Sequence, residues 1–120
     1  MAKKEVGEEE EEQKCKIINN MWEVLGRRWA LLILRNLNTK EAVRFNELKR
    51  LMPGISSTVL ADRLLEMERE GLSSKKFYPE IPPKVEYRLT VRARELGEIL
   101  KELGRWAQRW TTPRIPATTV

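Results

Sequence analysis

The sequence predicts a mostly helical α+β domain, and three observations carry that prediction. Apolar residues recur at steps of three and four along five stretches, a stretch near residue 85 alternates apolar with polar residues, and a proline-rich interruption joins it to an earlier extended segment. With 120 residues and 41% hydrophobic content, the chain is the size of one domain with one modest core.

Each element follows from its residues. Residues 1–12 hold two Lys against six Glu and end in a run of five Glu. Such a segment buries almost nothing and repels itself, so it is expected as a disordered acidic tail ahead of a domain over 13–112 and a short tail over 113–120. Ile17, Ile18, Met21, Trp22 and Leu25 then follow helical spacing, and Gly26 supplies a stop of the C-cap kind. A second helix is expected from about Arg28, burying a broad face with Trp29, Leu32, Ile33 and Leu37. After an extended piece at Ala42 to Arg44, Phe45, Leu48 and Leu51 mark a brief third helix. Pro53 and Gly54 terminate it, because proline lacks the N–H a continuing helix needs.

Ser56 or Ser57 caps a fourth helix whose stripe Leu60, Leu64 and Met67 points inward until Gly71. Leu72 to Tyr78 and Lys84 to Leu89 read as two strands. Pro79, Pro82 and Pro83 between them cannot donate to a ladder, so the connection is a stiff projecting tip. Thr90 caps a long last helix in which Leu96, Ile99, Leu100, Leu103, Trp106, Ala107 and Trp110 form one apolar stripe up to Pro113. A helix-turn-helix over 45–70 with a β-hairpin directly behind it is a winged helix-turn-helix, here with N- and C-terminal helical extensions.

Charge points to a partner. The formal net charge is +5, and the first twelve residues contribute four negative charges, so residues 13–120 carry nine positive ones. A basic domain of this size suits nucleic acid, since neutralising phosphates releases condensed counterions. It also suits an anionic surface or simple solubility. The single cysteine, Cys15, excludes an internal disulfide and fits a reducing, cytoplasmic setting. With no histidine, no glycine-rich phosphate loop and no carboxylate cluster on one face, neither an enzyme nor a metal or other cofactor is expected. No apolar run is long enough to span a bilayer.

The chain resembles the HxlR-type winged-helix regulators over about residues 15–110. The resemblance rests on Gly26-Arg27-Arg28-Trp29 running into Leu31 to Leu34, then Arg44-Phe45-Asn46-Glu47-Leu48, Pro53-Gly54-Ile55-Ser56, and Leu60 with Arg63-Leu64. The wing, Tyr78 to Thr90, is the most specific block. The resemblance implies a DNA-binding homodimer that regulates transcription.

The residues themselves give a reading of the fourth helix. With Leu60, Leu64 and Met67 inward, Thr58, Ala61, Asp62 and Leu65 face out, and Ser57 sits near the exposed N-terminus. Ser56, Ser57, Thr58, Ala61 and Asp62 are therefore candidates for the major groove of double-stranded DNA. Arg63 lies at the edge of the inward face, where it either joins them or pairs with Glu66 or Glu70. Lys75, Lys76, Lys84 and Arg88 bracket the tip without evident acidic partners, so the wing over about 72–89 is a candidate for the DNA backbone or the adjacent minor groove, with Arg44 and Lys49 as further phosphate candidates. The alternative for the serines is simple capping, and for the wing a solvated strand face.

Met21 and Trp22 with Leu96, Ile99, Leu100, Leu103, Trp106 and Trp110 present more apolar surface than a small domain covers alone, which predicts a two-fold dimer. Cys15, between Lys14 and Lys16 at the expected start of the first helix, is a candidate redox sensor, because a helix dipole and two ammonium groups favour thiolate. The resemblance adds that several relatives carry a sensing cysteine near this point. An incidental cysteine is the alternative, since Lys16 follows where the family favours proline. Trp22, Trp29, Trp106 and Tyr87 are either core residues or the lining of a small-molecule effector pocket. The rival to a DNA-binding regulator is a winged-helix module that binds protein instead.

Overall fold

A computed structural model describes residues 2–110, with side chains from residue 7 onward. Eight elements follow one another: α1 (Ala2–Gly26), α2 (Ala30–Leu37), β1 (Val43–Arg44), α3 (Phe45–Arg50), α4 (Ser57–Arg69), β2 (Ser73–Tyr78), β3 (Lys84–Leu89) and α5 (Val91–Arg109). The strands form one antiparallel sheet in the order β1-β3-β2. Val43 faces Tyr87 across β1 and β3, while Ser73 faces Leu89 and Tyr78 faces Lys84 across the hairpin.

The core forms where α2, α3, α4 and the base of the hairpin meet. Ile33, Leu34, Leu37, Leu48, Leu60 and Met67 are fully buried, and burying each such side chain is worth about 1.5–3 kcal/mol. These residues fix which way each helix faces. Leu31 and Leu32 lie on the outer side of α2, so its buried face is Ala30, Ile33, Leu34 and Leu37, narrower than the sequence predicts. Leu48 is the buried residue of α3, and the next one inward is Met52, just past the helix end, whereas Leu51 is exposed.

Turn chemistry sets the entry and exit of α4. Gly54 and Gly71 both adopt positive φ, at 95° and 70°, the region where a Cβ is penalised. Ser56 is the cap: its hydroxyl accepts from the Val59 amide at 3.1 Å. Thr90 caps α5 by accepting from the Ala93 amide, and its hydroxyl donates to the Gly71 carbonyl at 2.6 Å. One side chain thus ties the end of α4 to the start of α5.

Two expectations are corrected at the N-terminal end. The acidic segment expected to lack structure is helical, because α1 runs from Ala2. Glu is a good helix former, and Glu10 and Glu12 precede Lys14 and Lys16 by four residues, the favourable order for helical pairs. Gly26 ends α1 without a left-handed backbone. The reversal falls instead on Trp29, with φ 79°, and α2 starts at Ala30 rather than Arg28. A bulky residue in that region costs about 1–3 kcal/mol and persists only where its surroundings over-determine it.

The expected end of the last helix at Pro113 and the tail over 113–120 lie outside the described residues.

Candidate nucleic-acid interface

Helix α4 divides cleanly into two faces. Leu60, Leu64 and Met67 are buried, while Ser57, Thr58, Ala61, Asp62 and Leu65 are exposed. The outward set is the one the rotation of 100° per residue predicts, and it leads from the free N-terminal turn. Ser56 is exposed as well, but its oxygen is committed to the cap. Small side chains and hydroxyls on such a face can follow base edges and phosphates closely.

Arg63 is placed elsewhere. Its Nε donates to the backbone carbonyl of Arg28 at 3.0 Å, and its Nη1 meets Glu66 Oε1 at 3.4 Å. The pairing alternative is therefore the one observed, with an added bond to the α1–α2 turn that spacing alone does not reveal.

The wing carries more acidic compensation than its sequence suggests. Glu86 on β3 receives Lys84 Nζ at 2.7 Å, Arg88 Nη2 at 3.3 Å and the Tyr78 hydroxyl at 3.4 Å. Period-two alternation puts Lys84, Glu86 and Arg88 on one face, so the cations bracketing the tip do have an acidic partner. Arg88 also reaches Glu41 at 3.4 Å, and this pair moors β3 to the loop before β1. Lys84 and Arg88 are half-buried in this network, whereas Lys75 and Lys76 are exposed. The cross-strand register puts Lys76 opposite Glu86 and Lys75 opposite Tyr87, so the two lysines lie on opposite faces of the hairpin. Lys76 and Lys84 sit 5.0 and 4.9 Å from the Tyr78 ring, an arrangement that stiffens the root of the tip.

Between α3 and the wing lies a recess of about 700 Å³ whose cations are Arg44, Arg50 and Lys84. Arg44 is exposed and Lys49 half-buried. Arg50 is the basic residue that sequence reasoning missed. Its signal is its position at the exposed end of the short helix that Arg44 begins.

The candidate dimer residues separate into two groups. Met21, Leu96 and Leu100 pack partly against the chain's own core. Trp22, Ile99, Leu103, Trp106 and Trp110 are 69%, 63%, 51%, 54% and 71% exposed, enough to rule out that α5 folds back on its own domain along its length. Ile17 and Ile18 on α1 are exposed too.

Cys15 is exposed, but it lies in the body of α1 and not at its start. The first turn of the helix, where the sequence places this residue, lies about three turns earlier. Glu11 and Glu12, one turn earlier, border the same shallow surface recess as Cys15. The aromatic pocket is also corrected. A cleft of about 770 Å³ opens between α2 and α5, lined by Leu31, Leu32, Arg35, Gly97, Leu103 and Ala107 among others, with none of Trp22, Trp29, Trp106 or Tyr87 in it. Trp22 and Trp106 point to solvent, while Tyr87 packs near Phe45 with ring centroids 6.4 Å apart.

Among the described residues no helix is long and apolar enough to cross a membrane, and no group of three or more His, Cys, Asp or Glu could hold a metal ion.

Comparison with known proteins gives this arrangement a context. The family model described as HxlR-like helix-turn-helix matches residues 24–115. YvaP of Bacillus subtilis, described as an HTH-type transcriptional regulator, is 35% identical over 102 residues, covering 84% of this chain and 93% of that protein. A crystal structure of a regulator assigned to the MarR family from Porphyromonas gingivalis aligns with a TM-score of 0.71 at 35% identity, covering 78% of this chain and 91% of the other. The reduced form of the regulator YodB from B. subtilis aligns with a TM-score of 0.69 at 33% identity, covering 81% and 94%. These relatives are described as transcription regulators.

Proposed function

Because the chain belongs to the HxlR-like helix-turn-helix family, whose relatives are described as transcription regulators, we propose that it binds DNA and grips its operator as a homodimer in the cytoplasm. In this reading α4 enters the major groove and the wing lies on the flanking backbone. The observation that carries it is the division of α4: a fully buried inner stripe and an outer face of Ser57, Thr58, Ala61 and Asp62 open from the N-terminal turn. Lys75 and Lys76, without an ion pair among the described residues and on opposite faces of the hairpin, supply phosphate contacts, with Arg44 and Arg50 completing the basic rim.

The dimer is supported by the exposed tryptophans and aliphatic residues of α5 and α1, which a second copy would cover. Two-fold symmetry would space two α4 helices for half-sites about 34 Å apart or a multiple of it.

The test is the salt dependence of duplex binding. Replacing Lys75 and Lys76 with Ala is expected to weaken binding to all sequences alike and to flatten the slope of log affinity against log salt by about 0.9 for each phosphate no longer neutralised. An unchanged slope removes the wing from the interface. Absence of duplex binding by the unaltered protein at low salt leaves the protein-interaction module in place of the operator-binding reading.

A further inference from the structure

The α1–α2 turn touches the helix-turn-helix at two places. At the first, the Trp29 ring reaches the turn that leads into α4: a Cβ built on Gly54 would stand 3.8 Å from Trp29 Cη2, an ordinary van der Waals contact. At the second, the middle of α4 holds the turn from below. Arg63 Nε donates to the Arg28 carbonyl at 3.0 Å, Arg63 Nη1 meets Glu66 Oε1 at 3.4 Å, and Glu66 Oε2 faces Arg27 Nε at 3.2 Å. The Arg63 side chain is 19% exposed and that of Glu66 26%. The carbonyl that Arg63 holds belongs to the residue just before Trp29, whose φ of 79° makes the reversal. The Arg28 guanidinium covers the Trp29 ring at 5.3 Å.

We propose that Arg63 is a positioning residue: it locks α4 to the α1–α2 turn and so sets the spacing at which a dimer accepts two half-sites. This rests on the reading of the protein as an operator-binding dimer. Helix α1 bears exposed apolar residues proposed for the dimer interface, and α4 bears the groove face. The angle between them fixes the distance and tilt of the two groove faces. Met21, Val24 and Leu25 seat the end of α1 on the core, and the Arg27, Arg63 and Glu66 cluster adds the polar link from the turn that follows to the middle of α4. A guanidinium whose Nε is committed to a backbone carbonyl and whose Nη1 meets a carboxylate acts as a strut. A phosphate or base contact would need those donors turned outward.

Selection of binding sites from a pool of random duplexes tests this directly, with the full chain and with Arg63→Met. The unaltered protein is expected to recover paired half-sites at one spacing. Arg63→Met keeps the bulk of the side chain and removes the donors. It is expected to recover the same half-site bases over a spread of spacings and to bind the original duplex about 2- to 30-fold more weakly, the usual range for a coupling contact. Its salt slope should be unchanged, and Arg63→Lys, which keeps one donor for the carbonyl, should restore part of the affinity. Should Arg63→Met fail to fold, Arg27→Met on the exposed side of the cluster is expected to broaden the spacing in the same sense by a smaller factor.

Three results overturn the proposal: unchanged spacing and affinity in the variants, a slope flattened by about 0.9, which would make Arg63 a phosphate contact, or altered half-site bases, which would make it a base reader. If the unaltered protein selects no duplex, the operator-binding reading itself fails. That outcome is distinct from a variant indifferent to spacing.

Discussion

At Glu86 one carboxylate serves two cations and a phenol, and the wing's local stability follows from its charge. The hydrogen bond from Lys84 holds the Glu86 carboxyl below its ordinary value of 4.5, against the opposing effect of burial, with further help from the Lys84 and Arg88 charges. A carboxyl lowered in the folded state contributes stability that is complete above its unfolded value and is lost as pH falls through the folded one. Protection of the β2–β3 hairpin amides, taken relative to their intrinsic exchange rate at each pH, is therefore expected to be insensitive to protonation of this group from neutral pH down to about 4.5 and to fall below it. In Glu86→Gln that acid-dependent step should disappear, and a hairpin whose exchange keeps the same acid limb would show that the network does not hold the wing. The alternation that puts Lys84, Glu86 and Arg88 on one face was legible in the sequence. What the sequence withheld is that Tyr78, across the hairpin, also turns to this carboxylate, since a cross-strand partner depends on register. Arg63 marks the same boundary: Glu66, one turn on, was a foreseeable partner, but the Arg28 carbonyl lies 35 residues away in the chain.

Among the elements, those with buried stripes were the most legible. The α4 stripe, the turn glycines, the Thr90 cap and the β3 strand all appear where local rules place them, because each is set by residues within a few positions. Helix α1 was the least legible. A run of Glu satisfies the rule for a disordered tail by composition and the rule for a helix by propensity, and only continuity with the apolar segment behind it decides in favour of helix. The fit of α5 against α2 was also hidden. A Cβ added to Gly97 would stand 2.6 Å from Asn38 Nδ2 and 2.8 Å from Asn38 Cγ, so the Asn38 side chain at the end of α2 lies directly against the backbone of α5. Gly97→Ala sets a gain of about 0.8–1 kcal/mol in helix propensity against an overpacking cost of about 1–3 kcal/mol. Denaturant unfolding should show a net destabilisation of about 1 kcal/mol. Shortening the neighbour, as Asn38→Ala with Gly97→Ala, should restore the stability, and a single variant as stable as the parent would mean that Asn38 moves aside freely.

The whole molecule is flat and extended, with principal extents of 59 × 57 × 24 Å and a radius of gyration of 18.7 Å. A compact chain of this length would have a radius near ~14 Å. The excess comes from two helices that leave the body, since residues 7–20 of α1 and 101–110 of α5 are exposed almost throughout. A second copy seated on these arms is the assembly that the proposed function requires. Leu103→Lys with Trp106→Lys, away from the α4 face and the wing, is therefore expected to convert a dimer into a folded monomer in sedimentation velocity at micromolar concentration. Its duplex affinity should fall by at least about tenfold once only one half-site can be held. A parent that sediments as a monomer would refute the assembly. In the proposed dimer these overhanging arms would also shape how the regulator answers its own abundance. Under conditions where free monomer predominates, the operator-binding species grows with the square of the chain's concentration. Twofold more protein then gives about fourfold more of the form that binds, so a modest change in synthesis or degradation is sharpened into a steeper change in operator occupancy without any ligand.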